Sequence, residues 1–171
     1  GTPVNELDTP CIVVDLDIAE ANIAKLQAAA NEMGVDVRPH FKTTKSPYWA
    51  RKQLAAGAIG ICCAKVGEAE VMVEGGVTDI LIPNQVVTRD KIARLCALAK
   101  RGDMKVCVDN PRNVQDISEV AQAHEATIGV LIEVDTSMGR AGVRDIEKGV
   151  KLAKLADSLP GVSFRGVMSH Q

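Results

Sequence analysis

The 171 residues are 46% hydrophobic and 25% charged with a formal net charge of −2, a composition that predicts a globular chain with one sizeable core and excludes a disordered one. Near-balanced, interspersed charge and an aromatic set of two Phe, one Trp and one Tyr argue against a nucleic-acid surface, so the expected partner is a small molecule. No apolar run approaches membrane-spanning length and Gly1-Thr2-Pro3 does not open a signal peptide, so the expectation is a soluble, unexported, cytoplasmic protein that contacts no membrane.

In chain order, Cys11 to Leu16 reads as a strand introduced by Asp8-Thr9-Pro10. Ile18 to Met33 reads as a helix, with Ile23, Leu26, Ala30 and Met33 on one face and Gly34 closing it. Val35 and Val37 alternate as on one face of a strand, and Pro39, which has no backbone donor, ends regular pairing there. Ser46-Pro47 then serves as cap and first-turn pair of a helix stopped by Gly57. Further short strands are predicted near Ile59 to Cys63, Ile80 to Pro83, Lys105 to Val108, Ile128 to Val134 and Phe164 to Met168. Helices fall between them, over Glu68 to Val73, Thr88 to Arg101, from Asn110-Pro111 onward, and from Asp145 to Leu159. The five cysteines are odd in number and mostly sit in apolar runs, which predicts buried free thiols in a reducing compartment rather than a disulfide framework or a zinc site.

Strand and helix alternate every 20 to 35 residues, the pattern of βα units in a parallel sheet. Residues 1–34 lead in, and 35–171 supply six units. A doubly wound dinucleotide domain would need a glycine-rich first turn, and the turn here, RPHFKTTK, contains no glycine. The expected fold is therefore α/β, a TIM-like (β/α)8 barrel with six of its eight units, ending at the tip of the sixth strand. In such a barrel functional groups collect at the carboxyl ends of the strands, and Lys42, Lys65, Asn84-Gln85, Asp109-Asn110, Asp135 to Arg140 and Ser169-His170 all fall there. A lysine that loses part of its ammonium preference through burial or a nearby cation such as Arg38 is a nucleophile for carbonyls, which makes Lys42 the candidate. The plain alternative is that Arg38, Lys42 and Lys45 form a solvated basic rim. No His/Cys/Asp spacing makes a metal site by itself.

Five separated segments, RPHFKTTK, GICCAKVGEAE, VCVDN, IEVDTSMGRAGV and GVMSH, occur in the same order as in the D-threonine aldolase and D-serine dehydratase group. The chain resembles that group from about Asp8 to His170, nearly its whole length. The resemblance implies a pyridoxal 5'-phosphate enzyme on an alanine-racemase-like barrel, a lyase acting on D-β-hydroxy amino acids. It implies that Lys42 carries the cofactor covalently, that Arg140 approaches the cofactor's phenolic oxygen, and that His170 is held against its ring. It further implies a divalent metal in the complete enzyme, with ligands outside these residues, and a homodimer. GICCAKV and VCVDN lean toward the aldolases, whereas His170 followed by Gln171 departs from their usual tyrosine and later histidine. Retro-aldol cleavage to glycine and an aldehyde is the first expectation; dehydration of D-serine or 3-hydroxyaspartate, or a non-catalytic cofactor-binding module, are the alternatives.

Overall fold

The computed structural model describes residues 1–171. Its centre is a five-stranded, all-parallel sheet, β1 (Ile61–Cys62), β2 (Asp79–Ile82), β3 (Asp103–Val108), β4 (Ile128–Val134) and β5 (Val162–Ser169), in sequential order. Helices α4 (Val66–Glu74), α5 (Arg89–Ala99), α6 (Pro111–Ala123) and α7 (Ile146–Ser158) make the crossovers. Sequential order with a helix in every crossover is the arrangement of a partial barrel rather than of a doubly wound sheet, whose order reverses at a switch point.

Alternation along the strands divides the sheet into two faces. Ile80, Ile82, Met104, Val106, Val108, Ile128, Val130 and Ile132 point to the helices and form one buried cluster with Met72, Ile92, Leu95, Val114 and Ile117. Each such side chain removed from water contributes about 1.5–3 kcal/mol, so this layer is where stability concentrates. The opposite, lumen-facing set is mixed: Asp79, Leu81, Asp103, Lys105, Cys107, Gly129, Leu131 and Glu133.

Local signals explain the helix ends. Asn110 accepts from the Arg112 amide at 2.9 Å and Pro111 fills the first turn of α6; Asp145 accepts from Lys148 at 2.8 Å and starts α7. Ser46 stands at the N-cap of α3 (Pro47–Ala55) as expected, but its hydroxyl makes no cap bond.

Three expectations fail. Cys11 to Leu16 forms no strand: α1 (Leu16–Met33) begins at Leu16 with Asp15 accepting from Ile18, and Ile12 is 93% exposed, with no partner strand beside it. Cys11 is accordingly exposed, not buried. The strand expected at Val35 is an extended segment joined to β1 only by a parallel bridge, His40 to Cys62, and by the Ile59 and Cys62 amides donating to the carbonyls of Val37 and Pro39. Pro39 has no N–H to return, and β1 is two residues long, so no ladder propagates and five strands are paired rather than six.

Candidate functional site

The carboxyl ends of the strands are tied together by side chains. After β1, Glu68 accepts from the Ala64 amide at 2.7 Å, and Asn84, after β2, donates to the Ala64 carbonyl at 3.0 Å. Gln85 reaches across to donate to Glu133 near the end of β4. On the far side, the loop after β4 folds back on its own strand. The Val143 amide donates to the Glu133 carbonyl, and the Asp135 amide donates to that of Val143. Asp109, just past β3, accepts from the Gly142 amide at 2.9 Å, and Thr136 is 2.6 Å from Ser169 at the tip of β5. Gly142 is required by this closure: a Cβ there would lie 2.7 Å from the Asp135 nitrogen, at a φ of +102°.

Arg140 stands on this loop. Asp135 fixes both of its flanks, accepting from the Gly139 amide at 3.0 Å and pairing with Arg144 at 2.6 Å. The Arg144 bond holds the Asp135 carboxyl below the usual carboxylate range, with the Gly139 amide adding to it. Arg140 itself is exposed, and His170 follows Ser169, which the Thr136 contact binds to the same loop. Lys42 lies on the far side of the mouth, exposed, in the single-turn helix α2 (Phe41–Thr44) that follows the extended segment. Phe41 is buried in the core and anchors the turn, while Lys45 closes it in a left-handed conformation, φ 48°. The His40 ring accepts from the Lys42 amide at 3.2 Å.

Arg38 is not where its sequence neighbourhood suggested. It is largely buried at the opposite, amino-terminal end of the sheet, paired with Asp79 at 2.5 Å. Lys105 reaches the same Asp79 oxygen at 2.9 Å and Asp103 at 2.7 Å, and Arg165 lies 3.5 Å from Asp103. The extended segment carries Arg38 near its start, beside Asp79 at the amino-terminal end of β2, and Lys42 past its carboxyl end, so Arg38 is unavailable to tune Lys42. A Cβ on Gly60 would sit 2.0 Å from Arg38 Nη1, so glycine there is what lets the Arg38 side chain pass over to Asp79.

Sequence reasoning missed the two buried carboxylates, Glu68 and Glu133, which are 8% and 3% exposed. Glu133 lies within an apolar strand and Glu68 within a helix, and only their bonds to Gln85 and to the Ala64 amide show that they face the strands' carboxyl ends. Between Glu133 and Asp109, the Cys107 thiol is pushed up to about 12, by burial first and by those carboxylates and Cys62 in addition.

Comparisons with known proteins place the fold in a family. The family model described as alanine racemase, N-terminal domain, matches residues 14–171. D-threonine aldolase of an Arthrobacter species is 45% identical over 170 residues, 99% of this chain and 45% of that protein. D-threo-3-hydroxyaspartate dehydratase of a Delftia species is 37% identical over 96% of this chain and 43% of its own length. The crystal structure of D-threonine aldolase from Filomicrobium marinum superposes with a TM-score of 0.94 at 42% identity, over 96% of this chain and 44% of that one. The chain thus spans less than half the length of the relatives it matches.

Proposed function

Because the chain belongs to the alanine racemase N-terminal domain family, we propose that it is the barrel part of a pyridoxal-phosphate-dependent lyase. Its substrates are D-β-hydroxy amino acids, cleaved in the manner of a D-threonine aldolase to glycine and an aldehyde. The observation that carries this is the placement of Lys42: it is the first cationic side chain beyond the extended segment, exposed at the mouth of the sheet on a turn anchored by buried Phe41.

The residues present fit the cofactor. Lys42 supplies a primary amine at the mouth, and Arg140 and His170 stand on a loop and strand tip that Asp109, Asp135 and Thr136 hold in place. Lys42 would hold the cofactor covalently, and Arg140 and His170 would contact it. Pyridoxal phosphate, when bound, withdraws electrons from whichever bond at the substrate's Cα lies perpendicular to its ring. Orientation of the substrate by the protein therefore selects the reaction. A directed guanidinium at Arg140 favours ionised oxygen beside it, which an ammonium does less well. Lys42 Nζ, when neutral, can take a proton.

No group of three His, Cys, Asp or Glu side chains within these residues could hold a metal ion, and a divalent ion assisting at the substrate hydroxyl would draw its ligands from the remainder of the protein. That remainder would complete the barrel and a homodimer. No helix is long and apolar enough to cross a membrane. The five cysteines are free, which supports a reducing, cytoplasmic setting.

A second reading is favoured by one feature: His170 is followed by Gln171, the arrangement closer to the dehydratases. The complete protein, loaded with pyridoxal phosphate and given D-threonine, should release glycine and acetaldehyde; a keto acid and ammonia would select dehydration. Lys42→Ala should abolish borohydride-trappable attachment of the cofactor and reduce turnover by about 10²–10⁴-fold. Attachment that persists at Lys45 or Lys65 in that variant would overturn the assignment.

A further inference from the structure

His40 stands two residues before Lys42, and both its backbone and its ring are engaged. The backbone forms the parallel bridge to Cys62 that ties the extended segment to β1. The ring occupies the N-cap of α2, in extended conformation (φ −95°, ψ 120°), with Nδ1 accepting the Lys42 amide at 3.2 Å. N-cap positions favour Ser, Thr, Asp and Asn because the first amides of a helix need an acceptor. Here a ring nitrogen does that work.

A helix of four residues has almost no propagation to offset the cost of nucleating it. What defines this one is the cap at one end, a single bond from the Lys45 amide to the Phe41 carbonyl at 2.8 Å, and the left-handed Lys45 that ends it. The direction in which the Lys42 side chain leaves the backbone depends on that turn. We propose that His40 is a positioning residue for Lys42: its Nδ1 lone pair fixes the turn from which the lysine projects into the mouth. Its consequence for catalysis rests on the proposed role of Lys42; the capping itself does not.

Chemistry constrains how the cap works. A ring nitrogen that accepts cannot carry a proton, so the neutral tautomer must hold its hydrogen on Nε2, and the imidazolium, a donor at both nitrogens, cannot cap at all. The charged groups facing the ring are Lys42 from its own turn and Glu68 from α4. Burial holds His40 below its ordinary value of 6.5, Lys42 pushes the same way, and Glu68 opposes them. A depressed folded value means the cap is fully present above 6.5 and is lost as pH falls through the lowered value.

The test uses the full-length protein. In its cofactor-free form, His40→Leu should speed hydrogen exchange of the Lys42 amide by about fivefold, the effect of one lost cap, while His40→Asn, whose Oδ1 can accept the same bond, restores it. On adding pyridoxal phosphate, His40→Leu should slow borohydride-trappable attachment and lower kcat with little change in KM. His40→Asn should attach at the wild-type rate, and its Lys42 amide should keep its exchange protection on acidification through the His40 titration, where the wild type loses it, since asparagine has no titrating ring. Unchanged Lys42 exchange in His40→Leu, or no rescue by asparagine, would overturn the proposal. Should the leucine variant fail to fold, the other two still decide: loss of Lys42-amide protection on acidification in both wild type and His40→Asn overturns it, and loss in wild type alone supports it. Normal cap behaviour with attachment at another lysine would instead defeat the proposed function and leave the capping intact.

Discussion

At the amino-terminal ends of the strands, Arg38, Lys105 and Arg165 face Asp79 and Asp103, whereas at the carboxyl-terminal ends Lys42, Arg140 and His170 stand exposed on secured backbone. Both sets are basic and both line one barrel. The lower set is partly desolvated, with Arg38 and Lys105 side chains only 16% and 12% exposed, so each charge must have its partner to remain there. The upper set is kept free by diverting nearby carboxylates elsewhere: Asp135 is spent on Gly139 and Arg144, Asp109 on Gly142, Glu68 on Ala64. Pairing, more than residue type, separates the cations that hold this fold from those available to a ligand.

The largest expected effect lies at the mouth. Arg140→Lys in the complete, cofactor-loaded protein should keep its cofactor but lose on the order of 10²-fold in turnover, since an ammonium cannot reproduce two directed donors. The pH at which cofactor absorbance changes should move upward. Denaturation should be unaltered to within about 0.5 kcal/mol, because Arg140 is exposed. Near-normal turnover with unchanged absorbance behaviour would move Arg140 to the ordinary surface and erase the contrast between the two ends.

The reverse signature is expected at the lower end. Asp79→Asn removes the carboxylate shared by Arg38 and Lys105 and should destabilise the protein by about 1–3 kcal/mol, a range reduced from that of fully buried pairs because Asp79 is itself 38% exposed. Gly60→Ala, which pushes a methyl into Arg38, should cost about as much. Denaturant titration measures both, and borohydride trapping at Lys42 should be unaffected in either. A loss of cofactor attachment without loss of stability would mean that the lower network reaches the site.

Acid provides a smaller version of the same test. Burial raises the Asp79 pKa, but the hydrogen bonds from Arg38 and Lys105 outweigh it and hold the group below its ordinary 3.8. Its contribution is therefore fully present above 3.8 and lost as pH falls through the lowered value. Between wild type and Asp79→Asn, the difference in denaturation midpoint should be constant near neutrality and shrink below about pH 4. A difference that grows there would reverse the sign of the interaction.

Much of this was legible in the sequence, for a physical reason: strand and helix periods, caps and breakers act locally. Asn110-Pro111, Asp145 and Gly34 mark the ends they were expected to mark, and Asn84, Gln85, Asp109, Asp135 and Ser169 make hydrogen bonds near the strands' carboxyl ends. The failures involve partners far away along the chain. Cys11 to Leu16 has the composition of a strand but nothing beside it to pair with, and the Val35 segment meets a two-residue neighbour through a proline. Arg38 reads as part of a basic cluster with Lys42, and only the course of the extended segment along the sheet brings it to an aspartate 41 positions on, at the other end of the strands. His40 reads as one letter of a motif, and its capping bond appears only when the turn is seen to be four residues long.

The smallest effect concerns what lies between the two ends. Cys107 faces the lumen from the middle of the sheet, beneath Glu133 and Asp109, with its thiol pushed up to about 12 chiefly by burial. At pH 8 a thiol of that pKa is thiolate in roughly one part in 10⁴, and the thiolate is the species that alkylates. Cys11, in contrast, is exposed. Brief treatment of the native full-length protein with iodoacetamide, followed by peptide mass mapping, should therefore label Cys11 well before Cys107, with Cys107 reacting only once the protein is unfolded. If Cys107 were modified as fast as Cys11, water would have to fill the lumen below Glu133. The paired lower network would then be a solvated one, and the cost expected for Asp79→Asn should fall to the few tenths of a kcal/mol typical of exposed ion pairs.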